Sequence, residues 1–193
     1  LSEFGEQRIR NTPIIESGIL GAALGLALDG FKPIVEMQFA DFVSCGMNQI
    51  IQNIAKSHYR WTQGINVTIR LPHGAGVGAG PFHSQSPESW FMPHAGLKII
   101  VPSTVEDAQN MLYSAILEPN PVLFFEHKRL YRSLRETVPV KAEWTDIHAA
   151  RVLREGNHMS IITFGWPVHW ALDIAKEMEV QGISIEIVDL RSL

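Results

Sequence analysis

Short apolar runs alternate along the chain with segments whose apolar residues recur every three or four positions. Pro33-Ile34-Val35-Glu36-Met37-Gln38-Phe39, Asn66-Val67-Thr68-Ile69-Arg70-Leu71, Leu97-Lys98-Ile99-Ile100-Val101-Pro102 and Pro121-Val122-Leu123-Phe124-Phe125 have the length and composition of strands. Helical patterns lie between them. Gly18 to Ala27 is apolar nearly all round and rich in small residues, which predicts a helix buried among close backbone neighbours. Its glycines each cost about 1 kcal/mol relative to alanine, so packing has to compensate. Met47, Ile50, Ile51 and Ile54 mark a second helix, continued by His58 and capped by Asp41. Ser103-Thr104-Val105-Glu106 has capping-box spacing ahead of a third, whose core face is Ala108, Met111, Leu112, Ala115 and Ile116.

This alternation predicts an α/β fold with a mostly parallel sheet. From Lys128 to about Asn157 the pattern loosens into a charged stretch with one short strand at Ala150-Arg151-Val152-Leu153. A strand from Met159 to Phe164, a helix near Val168 to Met178 and a strand from Ile183 to Leu190 then form one βαβ unit. That is too little for a domain and reads as the opening of a second one. The expected division is residues 1–135, a connector over 136–157, and the start of a second domain over 158–193.

Composition narrows the function. With 16 basic and 20 acidic residues the net charge is −4, and no Lys/Arg block supports a nucleic-acid partner. The apolar runs are short and broken by Gly, Pro or charge, so none reads as a membrane span. Cys45 is the single cysteine, which excludes an internal disulfide and fits a reducing compartment. The acidic, polar start is unlike a signal peptide, and both ends of the chain read as cut.

Few residues suggest chemistry on local grounds. Glu16 follows Ile14-Ile15 at the start of the apolar helix; it reads either as a helix-dipole carboxylate or as a desolvated acid suited to holding a proton. The loop Pro72 to Pro81 alternates glycine with small residues but matches no phosphate-binding fingerprint, and reads as a lid or channel wall. His83 opens His83-Ser84-Gln85-Ser86-Pro87-Glu88, where no nucleophile elbow surrounds either serine, so a hydrolase is disfavoured. Gln38-Phe39-Ala40-Asp41-Phe42 follows a strand, at the edge where open α/β sheets bind ligands. The other histidines lack paired ligand spacing for zinc.

Taken in order, these phrases resemble the beta subunit of thiamine diphosphate-dependent 2-oxo acid dehydrogenases, of the branched-chain and pyruvate type. The resembling pieces are Thr12-Pro13-Ile14-Ile15-Glu16-Ser17-Gly18, Glu36-Met37-Gln38-Phe39-Ala40-Asp41-Phe42, His83-Ser84-Gln85-Ser86-Pro87-Glu88, Lys128-Arg129-Leu130-Tyr131-Arg132 and Val188-Asp189-Leu190-Arg191. The resemblance implies a three-layer, transketolase-like pyrimidine-binding domain followed by the start of a transketolase C-terminal-type domain. It implies that Glu16 hydrogen-bonds the aminopyrimidine of thiamine diphosphate, with Ile14, Gln38 and Phe42 lining that pocket. It implies that His83 stands at the active-site mouth, handling the carbanion intermediate and acyl transfer to lipoamide. Ile15 stands where the family usually has a small residue, and Met92-Pro93-His94-Ala95-Gly96 shifts the family's histidine by one position.

The expected function is oxidative decarboxylation of pyruvate or a branched-chain 2-oxo acid, with transfer to a lipoyl domain. No Gly-Asp-Gly is present, so magnesium and the diphosphate are expected mainly on an alpha subunit or an alpha domain, in a heterotetramer-like assembly. A bacterial cytoplasmic location is favoured over the mitochondrial matrix. A transketolase or deoxyxylulose phosphate synthase is the rival in the same superfamily, and a non-catalytic α/β assembly module is the rival from another class.

Overall fold

The computed structural model describes residues 2–193. Its elements in chain order are α1 (Glu16–Leu28), β1 (Ile34–Glu36), a 3-10 helix (Ala40–Gly46), a π-helix (Gln49–Ile54), α2 (Ser57–Trp61), β2 (Thr68–His73), β3 (Lys98–Ile100), α3 (Val105–Leu117), β4 (Val122–His127), α4 (Leu130–Ser133), β5 (Arg151–Arg154), β6 (Met159–Thr163), α5 (Pro167–Glu179) and β7 (Ile185–Asp189). Two further 3-10 turns, Pro81–His83 and Glu88–Trp90, lie between β2 and β3.

The first sheet has the order β1-β2-β4-β3 and is parallel throughout. Its two faces are buried against different helices, which is why β4 has no polar alternation and all its residues are buried. Leu123 and Phe125 point into the core shared with α1 and the 3-10 and π segments, through Leu20, Val43, Ile50 and Ile54. Val122 and Phe124 point the other way, onto Met111 and Ala115 of α3. Three layers result, as expected.

The second sheet has the order β5-β7-β6, with β6 and β7 parallel and β5 antiparallel to β7. The short strand placed in the connector by sequence therefore belongs to this sheet. Past β7 the chain pairs with the edge of β3: Val101 N–H donates to the Arg191 carbonyl at 2.8 Å, and Leu193 N–H to the Ile99 carbonyl at 3.0 Å. Ser103 Oγ donates to Asp189, and the Arg191 guanidinium reaches Asp107 at 3.0 Å.

Three local expectations need correction. Thr104, not Ser103, caps α3, accepting from Asp107 N–H at 3.1 Å, because the Ser103 hydroxyl is committed to Asp189. The segment after β1 is not one regular helix but a 3-10 helix running into a π-helical stretch, and His58 is exposed rather than part of the buried stripe. Helix α1 buries one face only, through Leu20, Ala23 and Ala27, and leaves Leu26 47% exposed, because no element among the described residues covers its other side.

Candidate functional site

Strands β2 and β4 run in register to their last residues, His73 opposite His127, so two imidazoles close the C-terminal edge of the sheet side by side. The chain leaves β2 through an arc in which Gly74, Gly76, Gly78 and Gly80 all have positive φ. At Gly74 the glycine is required twice over: its φ is +84°, and a Cβ there would overlap the His127 ring. The arc returns through the turn Pro81–His83, and Gly74 N–H closes it by donating to the Gln85 carbonyl at 2.9 Å.

His83 stands in an aromatic box. Its ring meets Phe39 edge-on at 4.7 Å between centroids and Phe42 at 5.6 Å, while the two phenylalanines are 6.1 Å apart. The Lys128 ammonium donates to the His83 carbonyl and lies 4.7 Å from the Phe39 centroid. Burial pulls this ammonium below the usual lysine range, and the nearby Asp41 opposes that shift. Asp41 is itself buried; Oδ1 accepts the Gln85 N–H at 3.0 Å, and Oδ2 has no hydrogen-bond partner among the described residues. Asp41 is therefore not the helix cap expected from sequence, since the cap position falls on Phe39 and the carboxylate faces the His83 segment instead.

Beneath the arc lies a second polar group. His73 Nδ1 is 2.7 Å from Glu88 Oε1 and 3.4 Å from Ser86 Oγ. Burial works to raise the Glu88 carboxyl, but the hydrogen bond and charge of His73 outweigh it and hold the group below its ordinary value. The His127 ring, 5.1 Å from His73, is lowered to about 4 by burial first and by His73 second. Beside the box opens a cleft of about 800 Å³ lined by Glu36, Gln38, Phe39, Arg70, Lys128 and Arg129, among others. Arg70 spans it, bridging Glu36 at 2.6 Å and Glu126 at 2.8 Å.

The residues singled out from sequence are only partly brought together. Phe42 and His83 share the box, and Gln38 lines the adjoining cleft. Glu16 sits half-buried in the first turn of α1, next to the 3-10 helix that carries Phe42: a Cβ at Gly46 would run into Leu20 and stand 3.7 Å from the Glu16 carbonyl. Among the described residues no hydrogen bond engages the Glu16 carboxylate, and Ile14 and Ile15 are 89% and 54% exposed. Among the described residues the two isoleucines before Glu16 therefore do not enclose its carboxylate. Lys128, the His73–Glu88 pair and the role of Asp41 were missed. The one available signal was Lys128 closing a Glu126-His127-Lys128 run at the end of a strand that begins Val122-Leu123-Phe124-Phe125 and is buried throughout.

The family model "Transketolase, pyrimidine binding domain" matches residues 1–133, and "Transketolase, C-terminal domain" matches 148–193. The chain is 45% identical to the 2-oxoisovalerate dehydrogenase subunit beta of Bacillus subtilis, over 99% of its own length and 59% of the relative's. It is 46% identical to the pyruvate dehydrogenase E1 component subunit beta of the same organism and 43% identical to that of Staphylococcus aureus, with the same coverage. It therefore spans about three fifths of the curated relatives it matches. A solved split gene transketolase, described as an inactive beta4 tetramer, superposes with a TM-score of 0.78 at 25% identity, over 97% of this chain and 58% of that one. A parallel sheet whose C-terminal edge carries the phenylalanine–histidine box, matched over residues 1–133, makes the chain a member of the transketolase pyrimidine-binding domain family.

Proposed function

We propose that this chain is the cofactor-activating part of a thiamine diphosphate-dependent 2-oxo acid dehydrogenase beta subunit. In this reading it serves oxidative decarboxylation of pyruvate or a branched-chain 2-oxo acid, with the acyl group passed to lipoyl-lysine. The observation that carries the reading is the box of Phe39, Phe42 and His83 at the sheet edge, with Glu16 on the adjoining helix. Identity of 43–46% to dehydrogenase beta subunits supports the choice of reaction class.

The residues present suit an aminopyrimidine. Glu16 offers a carboxyl at a helix start with no protein partner competing for it, and Phe42 offers an aromatic face on the neighbouring element. When bound, thiamine diphosphate supplies the electron sink that lets carbon dioxide leave. Glu16 would hold the hydrogen bond to the pyrimidine ring, and Ile14, Gln38 and Phe42 would line its pocket. His83, backed by two phenyl rings, holds or moves a proton at the mouth. An alpha part contributes the diphosphate and magnesium ligands.

The open face of α1 and the outward Ile14 and Ile15 support cover by other chains, in a heterotetramer-like assembly that a lipoyl domain visits. The bacterial organisms of the relatives support a bacterial cytoplasmic setting. Among the described residues no helix is long and apolar enough to cross a membrane.

The similarity to a split transketolase favours a second reading, ketol transfer between sugars. The two separate in one assay: the chain combined with its alpha part, given pyruvate, branched-chain 2-oxo acids or a ketose phosphate, with and without a lipoyl domain. Lipoyl-dependent turnover of a 2-oxo acid is expected. Lipoyl-independent ketol transfer would replace the dehydrogenase reading.

A further inference from the structure

We propose that Lys128 is a positioning residue for His83, holding the imidazole at the site mouth through the peptide backbone rather than by touching the ring. The inference rests on the reading of His83 as the acyl-transfer residue. His83 ends an arc whose glycines at 74, 76, 78 and 80 all have positive φ, and residues 75 to 82 are exposed. Such an arc does not hold its last residue in place. Lys128 directly follows β4, whose residues are all buried, and its own N–H donates to the His73 carbonyl at 3.0 Å. Its backbone is therefore part of the rigid sheet, and its ammonium transfers that rigidity to the His83 carbonyl.

Two residues further on, Asp41 grips the Gln85 N–H at 3.0 Å, so the peptide units on the far side of His83 are pinned by a cation and an anion in turn. The two phenyl rings then leave the imidazole little rotational freedom. A buried lysine is an expensive way to fill space, because desolvating an ammonium costs far more than burying a methionine of similar length. The location makes sense where a fixed charge-assisted bond is needed.

The test compares Lys128→Met, Lys128→Arg and His83→Ala in the reconstituted alpha–beta enzyme. One readout is transfer to a free lipoyl domain; the other is reduction of an artificial electron acceptor, which bypasses that transfer. Lys128→Met is expected to slow lipoyl transfer about 10- to 100-fold, with a much smaller effect on the artificial-acceptor rate and on KM for the 2-oxo acid. Lys128→Arg, which keeps the charged donor, is expected to restore most of the transfer rate. Should Lys128→Met fail to fold, Lys128→Gln carries the same expectation. Normal transfer in the uncharged variant overturns the proposal, as does a parallel loss of both rates that arginine does not rescue. If His83→Ala transfers normally, the reading of His83 falls, and this proposal with it.

Discussion

His73 Nδ1 lies 2.7 Å from Glu88 Oε1, with the two side chains only 4% and 7% exposed. The pair joins the last residue of β2 to the turn that follows the His83 segment, and so closes the glycine arc at its base. Removing one member of such a pair leaves the other buried without its partner. Glu88→Gln is expected to cost about 3–5 kcal/mol, read as the shift in denaturant midpoint at pH 7. A loss below about 1 kcal/mol would show the pair to be interchangeable with neutral hydrogen bonding.

The same cluster sets an acid limit on stability. His127 is held neutral, with its folded value lowered to about 4 from 6.5. Below pH 6.5 the unfolded chain takes up a proton that the folded chain refuses, so stability falls as pH drops from 6.5 towards 4 and then levels off. Glu88, also lowered, acts in the same direction: its contribution is present above the ordinary carboxylate value and is lost as pH falls through its folded value. Asp189, raised chiefly by burial, acts in the opposite sense. At pH 5 the His127 contribution alone reaches about 2 kcal/mol. Denaturant midpoints at pH 7 and pH 5 should show this loss in the parent chain and a clearly smaller one in His127→Gln.

Strand β4 was legible because, buried on both faces, it carries an unbroken apolar run from Val122 to Phe125. Helix α3 was legible from its spacing, and its cap was misplaced by one residue because Ser103 and Thr104 are equally good capping residues on local grounds. Only the distant Asp189 decides between them. Asp41 was misread for the same reason: a carboxylate ahead of a helical stripe resembles a cap until Gln85, 44 residues on, is seen to occupy it. Phe42 and His83 were reached through motif order. No periodicity marks the edge-on packing of three rings drawn from two separate 3-10 segments.

The glycine arc offers a comparison that separates backbone strain from close packing. Gly74 and Gly78 both have positive φ, +84° and +74°, but only at Gly74 does an added Cβ meet anything, namely the His127 ring. Gly78→Ala is expected to cost about 1–2 kcal/mol, the penalty of the left-handed region alone. Gly74→Ala has to displace the His127 ring as well, and a total of about 3 kcal/mol or more is expected. Thermal melts of the two variants at one pH decide the matter. Equal losses would mean that the loop lifts freely off His127.

Glu16 provides the sharpest test of the proposed chemistry, because its surroundings in this chain are incomplete. It lies in the first turn of α1, where aligned backbone dipoles favour a carboxylate, yet Ile14 and Ile15 beside it face outward. Burying those side chains under an alpha part would desolvate the carboxyl and turn a surface acid into one able to share a proton with the aminopyrimidine. Glu16→Gln keeps the shape and one hydrogen bond but cannot share that proton. In the reconstituted enzyme this variant is expected to slow hydrogen–deuterium exchange at the thiazolium carbon by about 10²- to 10⁴-fold. Its melting temperature should stay close to that of the parent, since no protein hydrogen bond to the Glu16 carboxylate is lost. In the chain without its partner the same substitution is expected to cost no more than about 1 kcal/mol, the helix-dipole contribution alone. An exchange rate near the parent value in the assembled variant would remove Glu16 from the chemistry and leave it as a helix-dipole carboxylate.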